Sequence, residues 1–231
     1  MTLAEFKIQN EITFTNDALL EQAFIHRSYI NENPRSNLEH NERLEFLGDA
    51  VLELAVTEYL YAKYPHHNEG DLTAYRSALV NAVTLGEVAD SLSFNDMMKL
   101  SKGEAKDVSR ARSSILADAY EAFVGALYLD QGYKACADFV GKTVLIKTED
   151  IIRKGLYKDA KSFVQEKAQE VFSVTPSYKV LSEEGPDHDK LFTIGIYFAD
   201  ELIGEGTGKS KQEAETSAAR SALEKKGWVG K

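Results

Sequence analysis

Four carboxylates carry the chemistry that this sequence can be expected to do. Glu45 and Asp49 lie in Asn41-Glu42-Arg43-Leu44-Glu45-Phe46-Leu47-Gly48-Asp49-Ala50-Val51-Leu52, and Asp118 and Glu121 in Ser114-Ile115-Leu116-Ala117-Asp118-Ala119-Tyr120-Glu121-Ala122-Phe123. The first two are four residues apart and the second two are three apart, so on helices each pair shares one face. Like charges at that spacing cost even an exposed helix roughly 0.2–0.5 kcal/mol. Among apolar neighbours they cost more unless a cation neutralises them, and a divalent ion is the economical explanation. Oxygen ligands with no His or Cys beside them suit magnesium, or manganese in its place, better than zinc. A di-iron site would need Glu-x-x-His on its helices, and no His here follows a Glu at that spacing. Ions held by carboxylates suit phosphodiester hydrolysis, one activating water and a second, ~3.5–4 Å away, stabilising the leaving oxygen.

Taken singly, most helical Asp and Glu residues are merely solvated; two pairs set within apolar runs are harder to explain that way. Glu42 continues the Glu45 face and Glu69 follows the next loop, which makes both possible supporting acids. Glu53 reads as a solvated end of the stripe. Gly48 costs its helix ~1 kcal/mol against Ala. It either lets a substrate or backbone approach or permits tight helix packing.

The elements that must hold these acids read at helical spacing. Residues 17–31, 41–63, 72–81, 84–92, 113–130 and 133–152 each form an apolar stripe, and Thr84 with Glu87 has the spacing of a capping box. Near residue 155 the period changes. Residues 160–172 read as a helix, and Phe192, Ile194, Ile196 and Phe198 alternate with Leu191, Thr193, Gly195 and Tyr197 as in a strand with one buried face. Ala199-Asp200 turns that strand into the next, and a last helix begins at Ser210 with Glu213 three residues on. The expected architecture is multidomain: an all-α domain over 1–154, a linker over 155–159 and a small α-β-β-β-α (α+β) unit over 160–227.

The 231 residues carry a net charge of −10, which lowers the odds of a nucleic-acid partner without deciding them. Residues 1–155 hold 16 Lys+Arg against 24 Asp+Glu, and residues 156–231 hold 11 against 13, so the acidity sits with the carboxylates. No apolar run approaches the ~18 residues of a membrane span, and Met1–Lys7 lacks the order of a secretion signal. The one cysteine, Cys136, reads as an apolar filler, and a reducing cytoplasm is the expected location.

The run from Asn41 to Leu52 resembles the signature of ribonuclease III. The likeness continues through Glu69-Gly70-Asp71-Leu72-Thr73 and Ser114–Asp118 to Glu121-Ala122 and covers nearly the whole chain in order. The resemblance implies a helical endonuclease domain that cuts both strands of double-stranded RNA with magnesium and leaves 5′-phosphate and 3′-hydroxyl ends with short 3′ overhangs. It implies that Glu45, Asp49, Asp118 and Glu121 are the metal ligands, with Asp49 and Glu121 the most catalysis-critical. It further implies a homodimer in which Phe46 enters a socket on the partner, although one apolar residue inside an acidic motif is more often core. Processing of ribosomal RNA precursors, and of messenger and transfer RNA, is the implied role.

The C-terminal segment resembles a double-stranded RNA-binding domain, which reads A-form shape across two minor grooves and the phosphates between them. Gln165 and Gln169 can exchange hydrogen bonds with 2′-hydroxyls, and His188 lies in a loop that could reach a minor groove. Lys209 and Lys211 flank Ser210 at a helix N-terminus, where cations are unfavourable unless an anion arrives. Gln212 stands where that family commonly has a second consecutive lysine, which predicts weaker RNA binding and a salt slope shallower by about one. Two other readings stay open on the residues alone: a non-catalytic RNA-binding scaffold, and a helical nucleotide pyrophosphatase, which leaves the C-terminal unit unexplained.

Overall fold

The computed structural model describes residues 1–106, 110–157, 159–186 and 190–228. The chain divides into two compact units, Met1–Glu149 and Asp150–Lys231.

The first unit is helical. Its elements are α1 (Leu3–Gln9), α2 (Asp17–Ala23), α3 (Arg27–Glu32), α4 (Glu42–Lys63), α5 (Glu69–Val80), α6 (Ala82–Ser91), α7 (Phe94–Met97), α8 (Arg110–Gln131) and α9 (Tyr133–Thr143), with α10 (Thr148–Arg153) straddling its end. Helix α8 is the axis. From Ile115 to Leu127 every residue is buried except Asp118 and Glu121, which are half-buried. A helix apolar on all sides belongs in the middle of a core, so the two acids interrupt what is otherwise a central core helix. Around it Phe6, Phe24, Phe94 and Phe123 meet mostly edge to face, with ring centres 4.9–6.5 Å apart.

The contact of α4 with α8 is made backbone to backbone. A Cβ on Gly48 would stand 1.7 Å from the Glu121 carbonyl oxygen, and one on Gly125 would stand 2.1 Å from that of Leu44. The alternatives left open for Gly48 are thereby resolved in favour of helix packing. Asn41, buried at the start of α4, donates from its side chain to the Ala23 carbonyl and from its backbone to that of Ile25.

Several helix boundaries differ from the sequence reading. The expected helix over 17–31 breaks into α2 and α3, because Phe24, Ile25 and His26 leave the helical ladder to pair with Lys99. Helix α6 is capped by Asn81, whose side chain accepts from the Thr84 amide, so Thr84 lies inside the helix and Glu87 pairs instead with Lys147. The expected helix over 133–152 is interrupted at Leu145–Lys147 by a tighter turn. Helices α1 and α7 were not anticipated; each is short and buries only one or two residues.

The second unit contains α11 (Ala160–Phe172), β1 (Ser177–Glu184), β2 (Leu191–Phe198), β3 (Glu201–Gly208) and α12 (Lys211–Lys225). The strands form an antiparallel sheet in the order β1-β2-β3. Phe163, Val164, Ala168, Ile196, Ile203 and Leu223 are among the residues that build its core. Gly204, Gly206 and Gly208 alternate along β3 and lie against Ala222, Ala218 and Ala214 of α12. Two strand residues span about 6.7 Å and four helix residues about 6 Å, so the two small-residue stripes stay in step. The last helix is capped by Ser210, which accepts from the Glu213 amide, while the Glu213 carboxylate accepts from the Lys209 amide, one residue before the position expected of a capping box.

Candidate active site and nucleic-acid interface

Because Gly48 and Gly125 let α4 and α8 touch, the acids on their adjoining faces converge. Oxygens of Glu45, Asp118 and Glu121 all lie within 4.8 Å of one another, and no other such group of three occurs among the described residues. Asp49, one turn beyond Glu45, is exposed and stands outside that group, but its charge is the strongest acting on Glu121. Glu42 is exposed and paired with Arg27 at 3.4 Å, with the His40 ring 3.7 Å away. Glu69 is exposed in the first turn of α5, where it accepts from the Thr73 hydroxyl at 3.0 Å. Glu53, read as a solvated end, is half-buried and adds to the field on Glu121.

The electrostatics show what this site lacks. Burial first, and then Asp49, Asp118, Glu45 and Glu53, push the Glu121 carboxyl up to about 8. Glu45 is raised by burial and by Asp118, Glu42 and Asp49, with Arg27 opposing. Asp118 is raised by burial, with His26 opposing. Carboxyls that hold their protons this strongly are short of positive charge. An all-oxygen donor set with water-accessible edges fits a hard divalent cation, and the fit is made by side chains from two helices locked together.

The interface residues sort by exposure. Gln165 and Gln169 lie exposed on α11, opposite the buried Phe163, Val164 and Ala168. Lys209 and Lys211 are exposed beside the α12 cap, and Lys211 is paired with Glu183 at 3.2 Å. His188 lies outside the described residues. Phe46 is 83% exposed, so it is not a core residue, and along the same side of α4 stand Leu54 at 56% and Tyr61 at 75%. Sequence reasoning missed Gly125, which lies one helical turn after Glu121 on the side that meets α4. It also missed His26, which no local spacing marks.

Comparison with known proteins agrees with this geometry. Residues 16–148 match the family model described as Ribonuclease-III-like, and residues 160–226 match the double-stranded RNA binding motif. Ribonuclease 3 of Anoxybacillus flavithermus is 48% identical over 224 residues, covering 96% of this chain and 92% of that protein. Ribonuclease 3 of Geobacillus kaustophilus is 47% identical, covering 94% and 89%. A solved nuclease domain of ribonuclease III from Campylobacter jejuni, described with a region involved in dimer formation, superposes with a TM-score of 0.55 at 36% identity. It covers 62% of this chain and 94% of its own.

Proposed function

Given that this chain belongs to the ribonuclease III family of double-strand-specific endoribonucleases, we propose that it works with magnesium held by Glu45, Asp49, Asp118 and Glu121. Manganese substitutes. The observation that carries this reading is the convergence of Glu45, Asp118 and Glu121 oxygens within 4.8 Å. Bound there, the ion supplies an activated water and charge stabilisation for the leaving 3′ oxygen. The products are 5′-phosphate and 3′-hydroxyl ends.

The chain's own residues do the rest. Glu45 and Asp118 hold the ligand oxygens in place through the backbone contact of α4 with α8. Glu121 gives up its proton when a cation enters, so loading of the site is coupled to proton release. Asp49, exposed one turn beyond Glu45, completes the ligand set from the solvent side; Glu42 and Glu69 support the site by their charge. In the C-terminal unit, Gln165 and Gln169 face the minor groove, His188 reaches the neighbouring one, and Lys209 and Lys211 meet the phosphates between them. We take 155–159 as the linker between a catalytic domain over 1–154 and this RNA-binding domain over 160–227.

A homodimer, with one site for each strand, explains the staggered cuts and short 3′ overhangs. It is supported by the exposed apolar side of α4, where Phe46, Leu54 and Tyr61 stand in water in the single chain. The cellular role follows as processing of precursor ribosomal RNA and other structured transcripts in the cytoplasm. In keeping with that, no helix among the described residues is long and apolar enough to cross a membrane, and the lone Cys136 is buried.

A long RNA duplex incubated with magnesium, and separately with chelator, tests the reading. Cleavage is expected only with magnesium. Asp49→Ala is expected to lose at least about a hundredfold in rate while binding duplex undiminished, the scale seen when a charge-stabilising group is removed. Magnesium-independent cutting, or full activity in that variant, would refute it.

A further inference from the structure

In the C-terminal unit Glu183 lies close to two of the three segments given RNA contacts above, the β1–β2 connection and the start of α12. It lies in β1, in register with Phe192 of β2, just before the β1–β2 connection. Its carboxylate reaches Lys211, at the start of α12, at 3.2 Å and Lys190, at the far end of that connection, at 3.7 Å. The Lys211 ammonium also lies 5.5 Å from the centre of the Phe192 ring, so it is held from two sides. The side chains of Lys211 and Glu183 are 57% and 38% exposed, so a polyanion can approach the pair.

We propose that Glu183 is an intramolecular competitor for RNA phosphate: it occupies Lys211 in the RNA-free protein, and duplex binding exchanges that carboxylate for a phosphate oxygen. The inference rests on the reading of Lys211 as a phosphate contact. Both anions offer oxygens to the same ammonium, which as a compact point charge accepts either without a strict geometry. An ion pair this exposed is weak and screened by salt. A duplex that releases its own counterions can therefore displace it. After the exchange, Glu183 keeps only its longer contact with Lys190, and its charge near a phosphate repels it. Both effects have one sign: Glu183 lowers affinity and shallows the salt dependence. With Gln212 in place of a further cation, the device keeps the domain's grip weak enough that engagement depends on the whole protein.

The full-length protein is titrated in chelator with an RNA duplex of about 20 base pairs, just longer than one such domain covers, at several salt concentrations. Glu183→Gln, nearly isosteric and at the surface, is expected to tighten binding roughly two- to fivefold. It should also steepen the slope of log affinity against log salt by about one. Unchanged or weaker binding overturns the proposal. Glu201→Gln, an exposed acid at the opposite end of the sheet, is expected to change affinity little; an equal gain there reduces the effect to overall charge and overturns the proposal. Lys211→Gln should weaken binding, and in that background the gain from Glu183→Gln should shrink to less than half; a gain that persists whole sinks the inference alone. Lys211→Gln with unaltered affinity removes the phosphate role of Lys211 and takes the inference with it.

Discussion

Glu121 projects from a helix buried on almost every side, and its carboxyl ends among other acids, so its proton is hard to remove. Its value of about 8 lies above the ordinary 4.5. Between those two values the folded, metal-free protein keeps a proton that the unfolded chain has released. The stability contributed by this group is therefore complete below the lower value and is lost as pH rises through the upper one. Glu45 and Asp118 shift in the same direction. Thermal unfolding in chelator should show a melting temperature that falls from about pH 5 to about pH 9, and Glu121→Gln should flatten that fall. Magnesium should raise the melting temperature most at the alkaline end, where no proton competes for the carboxylates. The four acids themselves were legible in the sequence by type and spacing. That three of them meet while Asp49 lies exposed outside the group was not, because spacing on one helix says nothing of the rotation of its partner.

At the scale of elements, the crossing of α4 on α8 decides whether those acids form one site. A methyl group on Gly48 would overlap the Glu121 carbonyl oxygen at 1.7 Å, and backbone cannot yield as a flexible side chain does. Gly48→Ala should destabilise the protein by about 3 kcal/mol. In whatever folds, separation of the helices by about 1 Å should lower cleavage by as much as a hundredfold. Gly141 in α9, around which a Cβ meets nothing within 4 Å, provides the contrast. There the same substitution should stabilise by about 0.5–1 kcal/mol with activity unchanged. Melting temperatures and cleavage rates of the two variants, measured side by side, check both signs. Helix positions were readable from periodicity, whereas the breaks were not. The interruption at Phe24–His26 is satisfied by Lys99, more than 70 residues away, and a period read within one window cannot see such a partner.

For the whole molecule, the exposed apolar side of α4 is where the proposed dimer would form. Phe46, Leu54 and Tyr61 lie in a row on a helix whose other face is core. Phe46→Asp places a charge where the proposed partner helix would pack, and should shift the protein toward monomer at micromolar concentration. Its melting temperature should change little beyond the part that dimerisation contributes. Sedimentation velocity measures the first quantity and calorimetry the second; an unaltered dimer would exclude this face as the interface. If two domains and two protomers share the RNA contacts, the net charge of −10 is no obstacle, since phosphate meets a local surface rather than the average one.

What the amino-acid order alone determined was the local part: apolar stripes with their period, the change near residue 155, the cap at Ser210, and the chemical type of the four acids. These depend on near neighbours in the chain. Tertiary structure alone decided which acids converge, that Gly48 serves helix packing, that Phe46 faces water and that Lys211 is engaged by Glu183. Each of these is set by a partner distant in sequence, and side-chain burial and pairing there follow from how whole elements dock, which no short window contains.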